Sequence, residues 1–525
     1  MAHDNKAIPA KNHNPRHVLL ILSLLALGGT LILLAATARG IGLSPDSAYY
    51  IGAARSLVRG RGLVAPFGDP QRQAMTHFAP LFPAVLALFG KTGIDPLEAA
   101  RWLNSFLFGL HVLLAGLIVR RYAPASFWAP ILGSFLMLTS VIALWVHSWA
   151  WSEPLFILLG LSGLWLLAEH LERPRPSFLV GASGLISLAW LTRYPGVALV
   201  VTGFVGIFLF SPERPLAKFR DCALFFGLGS LPIFLWICRN YLAAGSATNR
   251  ELVFHSIRFA NLAFGLGSVS EWVLPHGTST LAGAVVLFGL TAFMVIAGTI
   301  VWSRERRCAG GPLYAAHLMP FLLVIFILAY FAVVILSMLF LDANITLDNR
   351  ILAPIYVSTL FVLLCWGYRL FAESGRRSVT SVIPIVCIVF AAISTGRAAY
   401  AITYTRSQGL GYASVAWRSS VMMQEIKELP RGLTVFTNAP AAVYSVTGRA
   451  SLPIPGKVDL YTLRVNENYG NELVEMRQHL ATGAALLAYF NSSSWYLPSE
   501  KELREQLQLQ PVRIFPEGAF YTATY

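Results

Sequence analysis

Residues 42–62 read GLSPDSAYYIGAARSLVRGRG and follow directly on an apolar run, Val18 to Ala38, that is long enough to cross a bilayer. The stretch puts a carboxylate, Asp46, where a first membrane span leaves the lipid. An ionisable group beside a bilayer is costly unless it sits at an interface, in a cavity or in a pair. Locally, Ser44, Pro45 and Asp46 make a helix start: Ser as N-cap, Pro at the first helical position, and a first-turn acid that suits the helix dipole. The helix so begun carries Tyr50, Ala53, Ala54 and Leu57 on one face and Arg55, Arg59 and Arg61 largely elsewhere, the pattern of an amphipathic helix lying at the lipid surface. From this stretch alone, Asp46 is either a cap or a group that does chemistry at the membrane surface.

The whole chain supports a membrane setting. Its 525 residues are 56% hydrophobic and 13% charged, whereas soluble domains carry about a quarter charged residues. This is a polytopic membrane protein, not a soluble globular enzyme. Much of the net charge of +14 lies in short clusters between apolar runs, at Arg120-Arg121, Arg173 and Arg175, Arg304 to Arg307, and Arg376-Arg377. Such a distribution sets topology and is no nucleic-acid signature. The cysteines (Cys222, Cys238, Cys308, Cys365, Cys387) form no CxxC and lie in or beside apolar runs, as small packing residues do. Lys6, Lys11 and Arg16 precede the first apolar run, which exceeds the h-region of a cleaved signal and reads as an uncleaved span.

At about 20 apolar residues per helix, spans are expected near 17–38, 97–119, 126–147, 152–168, 177–192, 195–211, 221–241, 280–302, 316–341, 351–371 and 379–397. With the N-terminus inside, each of the basic clusters falls on a short inner connection, as the positive-inside rule requires. The outer ends then collect Asp46, His77, His147, Glu153, Arg193, Arg239-Asn240, Asp342, Asp348 and Arg350. A site is therefore expected on the exterior face. After about residue 400 the composition changes to alternating strand-like and helix-like segments, with Asn438 as candidate cap of a helix near 440. Residues 1–400, with a first outer loop at 39–96, are read as the membrane domain, and 401–525 as a small extracytoplasmic α/β domain.

Each candidate has a plain alternative. Glu153 in SWAWSEPLF (148–156) opens a span and suits its dipole, or converges with Asp46 on one cavity. Arg193 in LTRYPGVAL, Arg239 in WICRNYLAAG and Arg350 in ITLDNRILAPIY stand on the side where arginine is disfavoured. A guanidinium there either binds a lipid phosphate or snorkels to headgroups. His77 lies in MTHFAPLFPAVLALFG (75–90), an apolar segment too short to span, with no HxxxH or HExxH companion. The glycine stretches GLSG (160–163) and GLGS (227–230) lie within spans and read as helix packing.

In order and spacing, the Asp46 loop, the Ala54-Arg55-x-Leu57-x-x-Gly60-x-Gly62 run, Pro80-Leu-Phe-Pro83, SEPLF (152–156), LTRYPG (191–196), W-x-x-R-N (236–240) and DNRILAP (348–354) resemble the GT-C polyprenyl-phosphate-sugar glycosyltransferases. The branch resembled holds protein O-mannosyltransferases and bacterial aminoarabinose transferases. The resemblance implies an inverting transferase of the bacterial inner (plasma) membrane that moves a sugar from a polyprenyl-phosphate donor to a hydroxyl of a glycan, lipid or protein. It matches Asp46 to the essential first-loop acid and Glu153 to a second outer acid that places acceptor or metal. Arg193, Arg239, Asn240, Arg350, His77 and Tyr50 become candidate substrate-binding residues, and a divalent metal ion a candidate cofactor. Where relatives carry Lys-Pro-Pro-Leu, this chain has Phe78-Ala79-Pro80-Leu81, which leaves His77 or Arg72 to replace the missing lysine. A transporter or lipid flippase is the rival reading. It would want mid-membrane charges and internal repeats, and the sequence has no evident repeat.

Overall fold

The computed structural model describes residues 15–67, 74–308, 317–373, 377–492 and 494–523. Arg72, Lys6, Lys11 and Arg376 lie outside the described residues. Helices α1 (Pro15–Ala36), α2 (Pro45–Val58), α3 (Leu81–Lys91) and α4 (Pro96–Tyr122) are followed by α5 (Trp128–Leu138) and α6 (Val141–His147). Then come α7 (Glu153–Glu172), α8 (Pro176–Thr192), α9 (Val197–Phe210) and α10 (Pro215–Ala244). Helices α11 (Phe259–Ser270), α12 (Thr280–Cys308), α13 (Met319–Phe340), α14 (Ala353–Glu373) and α15 (Arg377–Gln408) complete the membrane part.

Among the described residues, eight helices are long and apolar enough to cross a membrane, and α5 with α6, bent by 53°, make a ninth when the pair is counted as one span. The chain is a multi-pass membrane protein. All eleven expected stretches are helical, but 177–192 and 195–211 become two shorter apolar helices, α8 and α9, rather than full spans. Their junction explains the break. Arg193 is extended, and a single 3-10 turn with Pro195 at its centre, Tyr194–Gly196, separates the two helices. The bundle core includes the fully buried Phe108, Phe156, Tyr330 and Phe361. Gly160 and Gly163 do serve packing: a Cβ there would stand 3.1 Å from Leu199 and 2.7 Å from Ile186.

Helix α2 starts as the sequence indicates, with Ser44 capping the amide of Ser47 and Pro45 at its first position. It does not lie on lipid. Ser47, Ala48, Tyr50, Ile51, Gly52, Ala53 and Ala54 are all buried, because the small residues let neighbours close in from several sides. A Cβ on Gly52 would lie 2.2 Å from Pro66. The helix is instead enclosed between α3 and α18 (Pro440–Thr447) of the C-terminal domain.

That domain carries a five-stranded mixed sheet: β1 (Thr434–Thr437), β2 (Leu452–Pro453), β3 (Ala485–Phe490), β4 (Leu509–Phe515) and β5 (Gly518–Ala523), in the order β2-β1-β3-β5-β4. Strand β1 pairs in parallel with β2 and β3, and β5 pairs antiparallel with β3 and β4. Asn438 does not cap α18. Its amide donates to Phe490 O and Ser492 O, and its oxygen accepts from Phe490 N. It ties the ends of β1 and β3 together, which satisfies backbone groups that the parallel ladder leaves open at its edge.

Candidate active site

The segment between α1 and α2 is held on both sides by backbone hydrogen bonds. Gly42 N donates to Ser148 O (2.8 Å), and Ala150 N donates to Gly42 O (2.9 Å). Leu43 N donates to Leu410 O (3.3 Å), and Tyr412 N donates to Leu43 O (2.9 Å). The segment thus acts as a short strand joining the loop before α7 to the chain leaving α15. Gly411, at φ +55°, permits this approach, since a Cβ there would stand 2.1 Å from Leu43 O. Asp46 therefore has a set position rather than a loop's freedom.

Around it the structure gathers residues from four separate stretches of chain. Arg350 donates from Nη2 to Asp46 Oδ2 at 2.7 Å and from Nε to Glu153 Oε1. Arg193 meets the same Glu153 oxygen through Nη1. The arginine side chains are 11% (Arg193) and 15% (Arg350) exposed, and Glu153 is fully buried. Two acids and two arginines therefore form one chain, Asp46–Arg350–Glu153–Arg193, with no net charge. Burial opposes the charge on Arg350, yet Glu153 and Asp46 beside it hold the guanidinium protonated, above its ordinary range. Arg193 is raised in the same way, against burial, by Glu153.

Aromatic and hydroxyl groups hold this chain in place. The Arg350 guanidinium lies 4.4 Å over the Trp151 ring, and Trp151 Nε1 donates to Ser44 Oγ at 2.8 Å. Ser152 Oγ is 3.1 Å from the Tyr50 hydroxyl and accepts from Arg193 Nη1 at 3.3 Å. Tyr330 donates to Ile351 O at 3.2 Å, and Asp348 Oδ1 accepts from Ile351 N at 2.8 Å, which fixes the backbone beside Arg350. Burial pushes the Tyr50 hydroxyl well up, and the nearby Asp46 charge adds to this, so Tyr50 stays a neutral hydrogen-bonding group. Among the described residues, Glu153 Oε2 and Arg193 Nε are buried without a protein partner, polar atoms that a buried water would satisfy.

Arg239, Asn240 and His77 belong to a neighbouring group and do not join that chain. Arg239 Nη1 donates to Asn240 Oδ1 at 3.1 Å, and its guanidinium lies 4.8 Å over Trp236. Among the described residues no carboxylate pairs with it. Asn240 donates to Ala247 O at 2.9 Å, and Tyr194, the residue after Arg193, donates to Thr76 O at 2.6 Å. His77 packs edge-on to Tyr49, with ring centroids 4.7 Å apart. Burial, helped by Arg250, holds its pKa down at about 4, so near neutrality it offers a neutral imidazole where a lysine would offer a cation. The Asp46 charge is felt at His77, Asp342 and Tyr461 alike.

The residues do not fit a divalent metal at the two acids. Asp46 and Glu153 converge on the Arg350 guanidinium, which occupies the position a shared cation would take. Among the described residues no group of three or more His, Cys, Asp or Glu is placed to hold a metal ion. Sequence reading missed the structural part played by Trp151 and Ser152, and it missed Arg250, Tyr461 and Tyr496 altogether. Trp151 reads as one more interfacial aromatic, and a lone loop arginine such as Arg250 carries no local signal.

The helix bundle with its C-terminal mixed sheet has the fold of solved GT-C membrane glycosyltransferases. ArnT from Cupriavidus metallidurans, solved bound to undecaprenyl phosphate, superposes with a TM-score of 0.54 at 13% identity over 97% of this chain and 98% of that one. Arabinofuranosyltransferase AftD from mycobacteria gives 0.55 at 14% identity over 98% of this chain and 40% of that one. The archaeal oligosaccharyltransferase AglB from Archaeoglobus fulgidus, in complex with an inhibitory peptide and a dolichol-phosphate, gives 0.51 at 12% over 90% and 69%. No family model and no curated protein sequence matches the chain.

Proposed function

We propose that this protein is an inverting glycosyltransferase that moves a sugar from a polyprenyl phosphate to an acceptor hydroxyl at the outer face of a bacterial inner membrane, with the C-terminal domain on that face. The observation that carries the reading is the Asp46–Arg350–Glu153–Arg193 chain, which holds one partly exposed carboxylate at a set depth. Arg350 takes Asp46 Oδ2, and the Asp46 side chain keeps 30% exposure. Its carboxylate is thus oriented and still open to an incoming hydroxyl. The fold supports the reading, as do the undecaprenyl phosphate and dolichol-phosphate bound to ArnT and AglB. The basic connections, all on one side under this orientation, support the topology.

In the proposed reaction the acceptor oxygen attacks the anomeric carbon as the bond from that carbon to the phosphate oxygen breaks. The polyprenyl phosphate leaves with the electron pair, and Asp46 takes the acceptor proton. Glu153 acts through the arginines rather than on substrate: it neutralises Arg193 and holds Arg350 against Asp46. Arg239, a cation without an acid partner among the described residues, takes the departing phosphate, which a guanidinium binds well. The buried Asn240 and Tyr50 hold their neighbours as neutral hydrogen-bonding groups, and His77 is a neutral imidazole beside Tyr49. The test is Asp46→Asn reconstituted in liposomes with polyprenyl-phosphate sugars, following release of polyprenyl phosphate. Transfer at the wild-type rate by a folded variant sinks the assignment. Mass spectrometry of envelope glycans from a deletion strain identifies the sugar and its acceptor.

A further inference from the structure

A chamber of about 940 Å³ opens between the loop that follows α10 and the C-terminal domain. Part of its wall is the carboxyl edge of the parallel strands: Thr437 and Asn438 end β1, and Pro453 and Ile454 end β2. In open α/β sheets that edge is the place where ligands sit. Loop 456–467 supplies another wall, and the backbone bond from Ala343 N to Tyr461 O ties that loop to the chain leading to Arg350. That single backbone bond links one wall of the chamber to the segment that leads to Arg350.

Its charges are lopsided. The ionisable lining groups are Arg250, Glu251, Asp459, Arg464, Glu467 and Glu472. Both arginines are engaged: Arg250 pairs with Asp342 at 3.2 Å and stacks 3.5 Å from the Tyr461 ring centroid, and Arg464 pairs with Glu251 at 3.2 Å. The remaining three acids form no ion pair among the described residues, although Asp459 feels the charge of Arg250. Asp459 accepts from the amides of Tyr461 and Thr462, and Glu472 accepts from Asn466. A phosphate or carboxylate entering here meets four carboxylates against two arginines, each arginine already paired with an acid. Sugar hydroxyls meet acceptors for their protons, and the Tyr461 and Tyr496 side chains line the same space. An extended peptide finds no strand to pair with, because the edge strand β2 is two residues long and ends in a proline that lacks an N–H.

We infer that this chamber binds the acceptor, and that the acceptor is an uncharged carbohydrate chain rather than a phosphorylated glycolipid or a peptide. The inference rests on the glycosyltransferase reading and narrows it to one acceptor class. Its test uses the full-length protein in nanodiscs on an array of neutral, phosphorylated and uronic-acid glycans together with extended peptides. Neutral glycans are expected to bind about tenfold or more above their phosphorylated counterparts. The charge-reversing pair Glu467→Lys with Glu472→Lys is expected to remove or invert that preference. Both side chains are exposed, so the change tests binding rather than folding. Preferential capture of phosphorylated or uronic glycans, capture of peptides, or capture of nothing overturns the inference. Undecaprenyl phosphate binding, measured on the same preparation by native mass spectrometry, separates the two levels. If it persists and weakens in Arg239→Met, only the acceptor class falls; if it is absent, the glycosyltransferase reading falls too.

Discussion

Glu153→Gln is the variant that separates a counter-ion from a reacting group. Glu153 is fully buried, and a single oxygen, Oε1, receives both Arg193 and Arg350, whose side chains are 11% and 15% exposed. Glutamine keeps the shape and removes the charge. Asp46, which pairs with Arg350, is then left to balance two guanidiniums. Removing one partner of a buried ion pair costs about 3–5 kcal/mol, because the other charge remains buried and uncompensated. The expected loss is of that size, read by equilibrium unfolding in mixed micelles with tryptophan fluorescence. Adding Arg193→Gln restores neutrality, and the double variant is expected to regain roughly 1–3 kcal/mol of the loss, the usual range for coupled neighbours. A Glu153→Gln protein within about 1 kcal/mol of wild type would falsify the counter-ion argument. Full stability with turnover abolished would instead make Glu153 a group that meets substrate.

Asp46→Asn is expected to lower turnover by roughly 100-fold to 10,000-fold, the scale of a lost general base, with polyprenyl phosphate affinity unchanged in a binding assay. Arg239→Met removes a charge-assisted contact worth about 1.5–3 kcal/mol, so the affinity for undecaprenyl phosphate should fall while thermal stability holds; unchanged affinity assigns the phosphate elsewhere. His77 has a folded pKa of about 4 against an ordinary 6.5, so between those values the unfolded chain binds more protons and stability falls as pH drops from 6.5 towards 4. His77→Phe should flatten that part of the curve, and an unchanged pH profile of unfolding counts against the burial of this imidazole. Gly411→Ala forces a Cβ to within 2.1 Å of Leu43 O at a positive φ; it should loosen the segment before Asp46 and cost activity more than fold, read by turnover beside circular dichroism.

The elements the sequence placed well are those with strong local causes. Span positions follow from length and hydropathy, and eight of the eleven expected stretches became membrane-length helices, with a ninth when the bent pair is counted as one span. The start of α2 was legible because Ser44 and Pro45 are chemically suited to a helix N-terminus. The C-terminal strands and helices matched their alternating patterns. Errors arose where neighbours override local pattern. The amphipathic pattern of α2 suggested lipid contact, but α3 and a helix some 400 residues further along the sequence enclose it. Asn438 sits one residue too early for a cap and finds better partners on β3.

By itself the sequence determined a polytopic membrane chain, the helix start that presents Asp46, and the candidates Glu153, Arg193, Arg239 and Arg350. Hydropathy, N-caps and unusual charges are properties of one stretch of chain, so they can be read along it. Only the tertiary structure decided which charges meet. It spread Asp46, Glu153, Arg193 and Arg350 along one neutral chain, left Arg239 without an acid, and turned the position between the two carboxylates into a guanidinium site. The physical reason is that an ion pair depends on distance and burial in space, and residues 46, 153, 193 and 350 become neighbours only when the helices that carry them pack.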